Sequence, residues 1–333
     1  MMRTLVICLA LLAAIPAKAQ LFPALGGQRV GISALTFLKI DTSPRSAGLA
    51  GASLCAPGDA YSVSVNPGAI TDLQHAAFGL SHTFWAADIN YSFASAIFPT
   101  KNQGVWAGSV STLNSGAMPV RTVFQPGGTG EVFYVNYYTA GLTYARQPTD
   151  QFSFGVTGKY VHEQIAEFQA NTGLLDLGFM YRTDFRGLRF GVVVQNFGPN
   201  SRLRGELKTD SVFQQNTPAL DAYPAPTVFL LGISINIWEN ETGDQRLTGL
   251  LQLNHPNDNA ENIRMGLEYD YKDLLFLRAG YRINVEDQPF PAFGMGIRAR
   301  VGRHPLRFDY AADPLKYLGL MHRVGIGFYM NPA

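Results

Sequence analysis

The chain of 333 residues predicts an all-β protein: an antiparallel β-barrel of about fourteen strands that crosses a membrane, with an N-terminal Gly/Ala/Pro-rich segment folded into its lumen. Three observations carry this. The chain opens with an export leader and has no later apolar run long enough for a spanning helix. Most of it then alternates apolar and polar residues with period two. The links between those alternating stretches are short and long by turns.

Residues 1–19 read as a signal peptide. Arg3 gives a positive start, Leu5 to Ile15 an apolar core, and Ala17-Lys18-Ala19 a small-residue cleavage site. The apolar run is too short to span a bilayer of ~30 Å as a helix. Of the two cysteines, Cys8 leaves with the leader, so Cys55 has no disulfide partner and reads as a small buried residue. Charged residues make up only 15% of the chain. That gives no basic surface for nucleic acid, and no nucleic acid partner is expected.

Residues 20–73 read as a hatch. Phe37 to Ile70, FLKIDTSPRSAGLAGASLCAPGDAYSVSVNPGAI, is rich in Gly, Ala, Ser and Pro and holds neither helical nor strand period. Irregular backbone is tolerated at membrane depth only where protein or water surrounds it, which puts this stretch in the mouth or lumen of the barrel. The other reading is a surface loop ahead of a soluble β-domain.

Residues 74–333 read as the barrel. Phe229, Leu231, Ile233 and Ile235 alternate with Gly232, Ser234 and Asn236. Ile263, Met265, Leu267 and Tyr269 alternate with Arg264, Gly266 and Glu268, and Phe293, Met295 and Ile297 with Gly294, Gly296 and Arg298. Period two across many segments means strands. In a soluble sandwich the polar face would be dominated by Lys, Glu, Thr and Ser. Here it is mostly Gly, Ser, Asn and Arg, and the apolar face ends in Tyr, Phe or Trp, as an aromatic girdle does. Strands are expected near 74–83, 88–98, 104–113, 132–146, 152–163, 173–183, 188–197, 227–238, 246–255, 261–271, 274–283, 289–301, 305–312 and 320–330. Lumen-facing positions such as Ser234 and Gly266 are expected to accept small polar replacements. The two longest links, Asn114 to Glu131 and Gly198 to Pro226, fall on the side opposite both termini, the asymmetry of outer-membrane barrels.

No enzyme motif, metal-ligand cluster or cofactor fingerprint stands out, so no catalytic residue, metal or cofactor is assigned. The lumen face carries Arg264, Glu268, Arg278, Arg298, Arg300, Arg307 and Asp309. These either brace a narrow barrel as cross-strand pairs or hold the hatch and meet an anionic ligand. The long loops carry apolar side chains, Phe124 in the first and Val212, Phe213, Leu220 and Tyr223 in the second. Such residues suit a loop that packs on itself or grips a partner.

The leader, the FLKIDTSPRSAGLAGA stretch, Asn66-Pro67-Gly68 and the fourteen-strand pattern together resemble the PorV/PorQ-type outer-membrane proteins of Bacteroidota, relatives of the FadL-type channels. The most specific positions are Phe37, Lys39, Arg45, Gly48, Gly51, Asn66, Pro67 and Gly68. Arg323 to Met330 also resembles the C-terminal signal of bacterial barrels. The resemblance implies a multi-pass protein of the bacterial outer membrane, in contact with its lipid, with residues 20–73 as a hatch. It implies one of two functions. The first is a component of type IX secretion, binding the C-terminal signal domains of secreted cargo and delivering cargo at the translocon and cell surface. The alternative is a FadL-like channel that passes hydrophobic solutes through a lumen and a lateral opening.

Overall fold

The computed structural model describes residues 31–100, 104–205, 220–285 and 288–330. The expected leader, 1–19, and Val212 and Phe213 lie outside the described residues.

Sixteen strands follow in chain order: β1 (Ala77–Phe84), β2 (Asn90–Pro99), β3 (Gly104–Asn114), β4 (Met118–Pro119), β5 (Val132–Phe133), β6 (Val135–Arg146), β7 (Phe152–Ile165), β8 (Phe168–Arg182), β9 (Arg189–Phe197), β10 (Val228–Glu239), β11 (Gln245–Pro256), β12 (Asn262–Tyr271), β13 (Leu275–Ile283), β14 (Ala292–Val301), β15 (His304–Leu315) and β16 (Gly319–Tyr329). All except β4 and β5 form one closed antiparallel barrel, in which each strand pairs with its neighbours along the chain and β1 closes on β16. The closing register runs from Ala77 opposite Tyr329 to Phe84 opposite His322. Closure leaves no unpaired sheet edge, the condition for a sheet in lipid.

Two elements depart from the sequence expectation. The strand expected from residue 132 is broken: Val132–Phe133 turns away to pair with Met118–Pro119, and the barrel strand begins at Val135. The first long link is therefore a hairpin standing on the barrel. The strand expected at 173 instead starts at Phe168, because Ala166 takes a left-handed conformation (φ 52°) and turns the chain back tightly after Ile165.

Alternation sorts the side chains as the pattern requires. On β12, Met265 and Leu267 are exposed while Gly266 and Glu268 are buried; on β16, Val324 and Ile326 are exposed while Arg323 and Gly325 are buried. The end of the barrel where β1 begins and β16 finishes has the short connections and is called the turn end; the opposite end, with both long links and the first described residues, is the loop end.

Residues 31–73 fill the interior. A 3-10 turn (Thr36–Lys39) lies across the loop end, where Leu35 and Phe37 pack among Tyr91, Leu113, Val161, Leu174 and Ala225. The chain then drops to a short helix, α1 (Pro44–Gly48), against β13 to β16. Ser43 caps α1 by accepting a hydrogen bond from the Ser46 N–H at 3.2 Å, and Pro44 occupies its first position, both local sequence signals for a helix start. After crossing the barrel, the segment ends in a 3-10 turn (Pro67–Asp72) against β6, β7 and β8, with Asn66 capping it through the Gly68 N–H at 2.9 Å.

The small inward residues of the wall are the seat of this hatch. A Cβ on Gly280 would overlap the carbonyl carbon of Leu49, and one on Gly178 would overlap the Asn66 side chain. Inward hydroxyls and amides bond the irregular backbone: Ser234 donates to Cys55 O at 2.9 Å, Ser153 to Gly68 O at 2.9 Å, and Gln195 to Val65 O at 3.0 Å. The expectation that Ser234 and Gly266 are permissive is therefore corrected. Ser234 is a buried hatch contact, and Gly266 lies under Leu49 and Ala52. Gly280→Val should leave the barrel closed and heat-modifiable but displace the hatch, read as new protease cleavage within residues 44–60; a hatch as protected as in the wild type would contradict this seating.

Candidate functional site

The hatch is tied to the wall by a buried charge network. Arg45 on α1 grips Glu268 of β12 in a bidentate pair, Nε to Oε2 at 2.9 Å and Nη2 to Oε1 at 2.5 Å. It also donates to Pro57 O at 2.7 Å and faces Asp59 at 3.4 Å. Arg278 on β13 stands directly opposite Glu268 and bonds it at 2.7 Å, then reaches Asp309 on β15 at 2.7 Å, which Arg307 meets at 3.0 Å. Three guanidiniums thus balance three carboxylates out of water, with Arg307 stacked 4.3 Å from the Phe276 ring centroid.

At the turn end a second clip holds the last hatch turn. Asp72 accepts from Arg182 and Arg189, each at 2.6 Å, and from the Gly58 N–H at 2.9 Å. Burial alone would push this carboxyl up, but the two guanidiniums hold it below its ordinary value. At the loop end, Phe37 stacks on Tyr137 (4.4 Å), and Lys39 pairs with Asp258 at 2.7 Å, which also accepts from Ser33. Ala34 N–H donates to Pro224 O at 3.0 Å, joining this roof to the second long link.

Between roof and floor lies a chamber of about 310 Å³. Leu38, Lys39 and Ile40 line it from the roof and Ser46, Gly51, Val63 and Val65 from the floor. Tyr91, Phe93, Val228 and Leu230 form an apolar side, and Gln252, Asn254, Asn262, Arg264 and Arg282 a polar one. The chamber is small for a ligand site, at the low end of the usual range. The wall beside it is unbroken: β3 pairs with β2 and β6 along its whole length, so among the described residues the backbone has no lateral gap there.

The structure brings most of the sequence-chosen residues into these three places. Phe37 and Lys39 form the roof. Arg45, Glu268, Arg278, Arg307 and Asp309 form the network. Arg264 lines the chamber. Gly48 lies against the Gly294 backbone, Gly51 against Arg264, Pro67 against Gly155, and Gly68 against Gly178. Arg298 reaches exposed Asp273 at 3.5 Å near the turn end, and Arg300 is exposed there, outside the buried network. Phe124 is 93% exposed, as is Val123, at the tip of the β4–β5 hairpin, whereas Leu220 and Tyr223 are partly exposed near the roof. The bases of the two long links are separated by β7 and β8. Sequence reasoning missed Asp59, Asp72, Asp258 and Asp313. Their signal was present: excess inward arginine needs carboxylates, and the acids sit in the hatch, in a loop and at one strand's end.

No family model and no curated protein matches the chain. Solved structures do. The toluene transporter TbuX of Ralstonia pickettii aligns at a TM-score of 0.52 and 11% identity over 86% of this chain and 97% of its own. The CymD monoaromatic hydrocarbon channel aligns at 0.55 and 12%, over 92% and 99%. A Pseudomonas aeruginosa FadL homologue aligns at 0.50 and 11%, over 91% and 98%. This is the fold of the FadL-type channels. At such identity the likeness is one of fold, and those neighbours are transport channels.

Glu268→Gln would leave Arg45 and Arg278 facing a neutral amide in a buried site. Loss of one partner from such a pair costs about 3–5 kcal/mol. The variant should unfold at lower urea than wild type in detergent, followed by loss of heat-modifiable migration, whereas Arg300→Gln at the exposed rim should not shift the midpoint.

Proposed function

We propose that the protein is an outer-membrane channel for small solutes with an apolar body, closed in this conformation by its own N-terminal segment. The observation that carries the reading is the chamber inside a barrel of the hydrocarbon-channel fold, roofed and floored by one segment of the chain. The exposed apolar residues of the wall, such as Leu267, Leu277 and Ile326, supply the lipid-facing belt, and the closed ladder satisfies the backbone in lipid. The loop end faces outward and the turn end the periplasm, as long loops and short turns do in such barrels. Solute entering from the loop end meets the hatch before it meets the periplasm, so passage needs the hatch to move.

Uptake tests this. Cells bearing the protein in the outer membrane should accumulate at least one of labelled toluene, benzyl alcohol or benzoate faster than cells lacking it. Equal uptake of all three would sink the reading.

A second reading, a cargo-binding or delivery component of type IX secretion, is favoured by one feature. Val123 and Phe124 stand nearly fully exposed at the tip of a hairpin that the barrel itself does not need. Isolated apolar side chains are common on surfaces, but a bulky pair at a projecting tip suits partner contact. On this reading, Val123→Ser with Phe124→Ser abolishes co-purification of translocon subunits or cargo signal domains and leaves solute uptake unchanged. Unchanged co-purification would remove the hairpin from that role.

A further inference from the structure

The chamber contains a guanidinium without a carboxylate. Arg264 and Arg282 stand directly opposite each other on β12 and β13. Like charges in that position are destabilising unless something answers them. Arg282 is answered: its two Nη atoms meet Asp313 at 3.0 and 2.7 Å, and its Nε donates to Ala50 O at 3.0 Å. Lys39 and Lys159, which also line the chamber, are paired with Asp258 at 2.7 Å and Asp176 at 2.6 Å. Among the described residues, Arg264 donates to the Asn262 side chain at 3.2 Å through Nε and has no carboxylate within ion-pair distance. Asp41, on the chamber's rim, already accepts from the Ser46 hydroxyl at 2.7 Å. Gly51, at φ +85°, presses its backbone against the Arg264 guanidinium, and any side chain there would strike it. The hatch thus holds the charged head in place.

Across the barrel from Arg264 lie Tyr91 and Phe93 on β2, and Leu230 of β10 adds apolar surface beside Asn254. One side of the space suits an anion and the other an apolar ring or short chain, within about 310 Å³.

We propose that the chamber binds small monocarboxylates with a compact apolar body, the carboxylate on Arg264 and the body against Tyr91, Phe93 and Leu230. This rests on the channel reading and narrows its solute class: the neighbours named for toluene and monoaromatic hydrocarbons take uncharged molecules, and a half-buried arginine facing the chamber without a carboxylate among the described residues is wasted on those.

Equilibrium dialysis of the full-length protein in detergent, at low salt, tests it with labelled benzoate, benzyl alcohol and toluene. Benzoate should bind at least about tenfold tighter than the two uncharged compounds, the discrimination expected of a charge-assisted hydrogen bond. Arg264→Gln should remove that advantage, and Asp41→Asn should tighten benzoate binding, with the fold of each followed by heat-modifiable migration. Equal binding of benzoate and toluene would overturn the inference, as would unchanged benzoate binding in Arg264→Gln. If Arg264→Gln does not fold, Asp41→Asn decides: benzoate binding no tighter than wild type overturns it. Uptake of toluene without benzoate binding would overturn this inference and leave the channel; benzoate binding without uptake of any compound would do the reverse.

Discussion

Irregular backbone inside a membrane barrel must have its polar groups satisfied by the wall, and the rest of this structure follows from that need. Residues 41–66 have one short helix and one 3-10 turn, Ser62–Ser64, whose local hydrogen bonds leave part of the backbone unanswered, yet they lie deeply buried. The wall answers with inward serines, glutamines and glycines: the first two supply donors to stranded carbonyls, and the last let the hatch backbone reach them. Ser95 to Ala60 O at 2.5 Å and Ser81 to Thr42 O at 2.6 Å are the same device on β2 and β1. A barrel lined with larger or purely apolar side chains would have no room for the hatch and no partners for it.

Charge then sets where the hatch sits. Burying six ionised groups is costly, and such a cluster is weak evidence for stability in itself. Its effect is positional. Arg45 has carboxylates within reach at Glu268 and Asp59, and moving α1 away would strand Glu268 beside Arg278 and leave Arg45 to find water. The Asp72 clip pins the other end of the segment to β8 and β9. Between these anchors runs the part of the hatch that floors the chamber, Val63 to Val65, held by the softer contacts of Gln195. If the hatch opens without leaving the barrel, that stretch and the roof are where it gives, since each is held by a few hydrogen bonds or a single partly exposed ion pair.

The inward arginines divide accordingly. Arg278 braces neighbouring strands, as cross-strand pairs do, Arg307 pairs with Asp309 on its own strand, and Arg182 and Arg189 hold the hatch. Arg264 does none of these. One strand of alternating residues therefore presents an available charge, Arg264, and a structural one, Glu268, four positions apart, and only the surroundings distinguish them.

How much of this was legible in the sequence differs between wall and interior. Alternation at Ile263 to Tyr271 or Phe293 to Val301 is a local property of period two, so faces, strand number and the position of the long links could be read from consecutive residues. The Gly- and Ser-rich inner face and the aperiodic stretch from Phe37 also told of a filled lumen. The sequence could not tell which acid meets which arginine. Arg45 and Glu268 are 223 positions apart, and Lys39 and Asp258 are 219 apart; such pairs depend on the hatch's path, which has no period to follow. The β4–β5 hairpin rests on two short runs with little strand signal between a proline and a glycine-rich turn. Arg264 and Arg282 look alike along the chain, both inward and both on strands. Only the folded interior, by placing Asp313 beside one and Gly51 beside the other, decided which is paired and which is left facing the chamber.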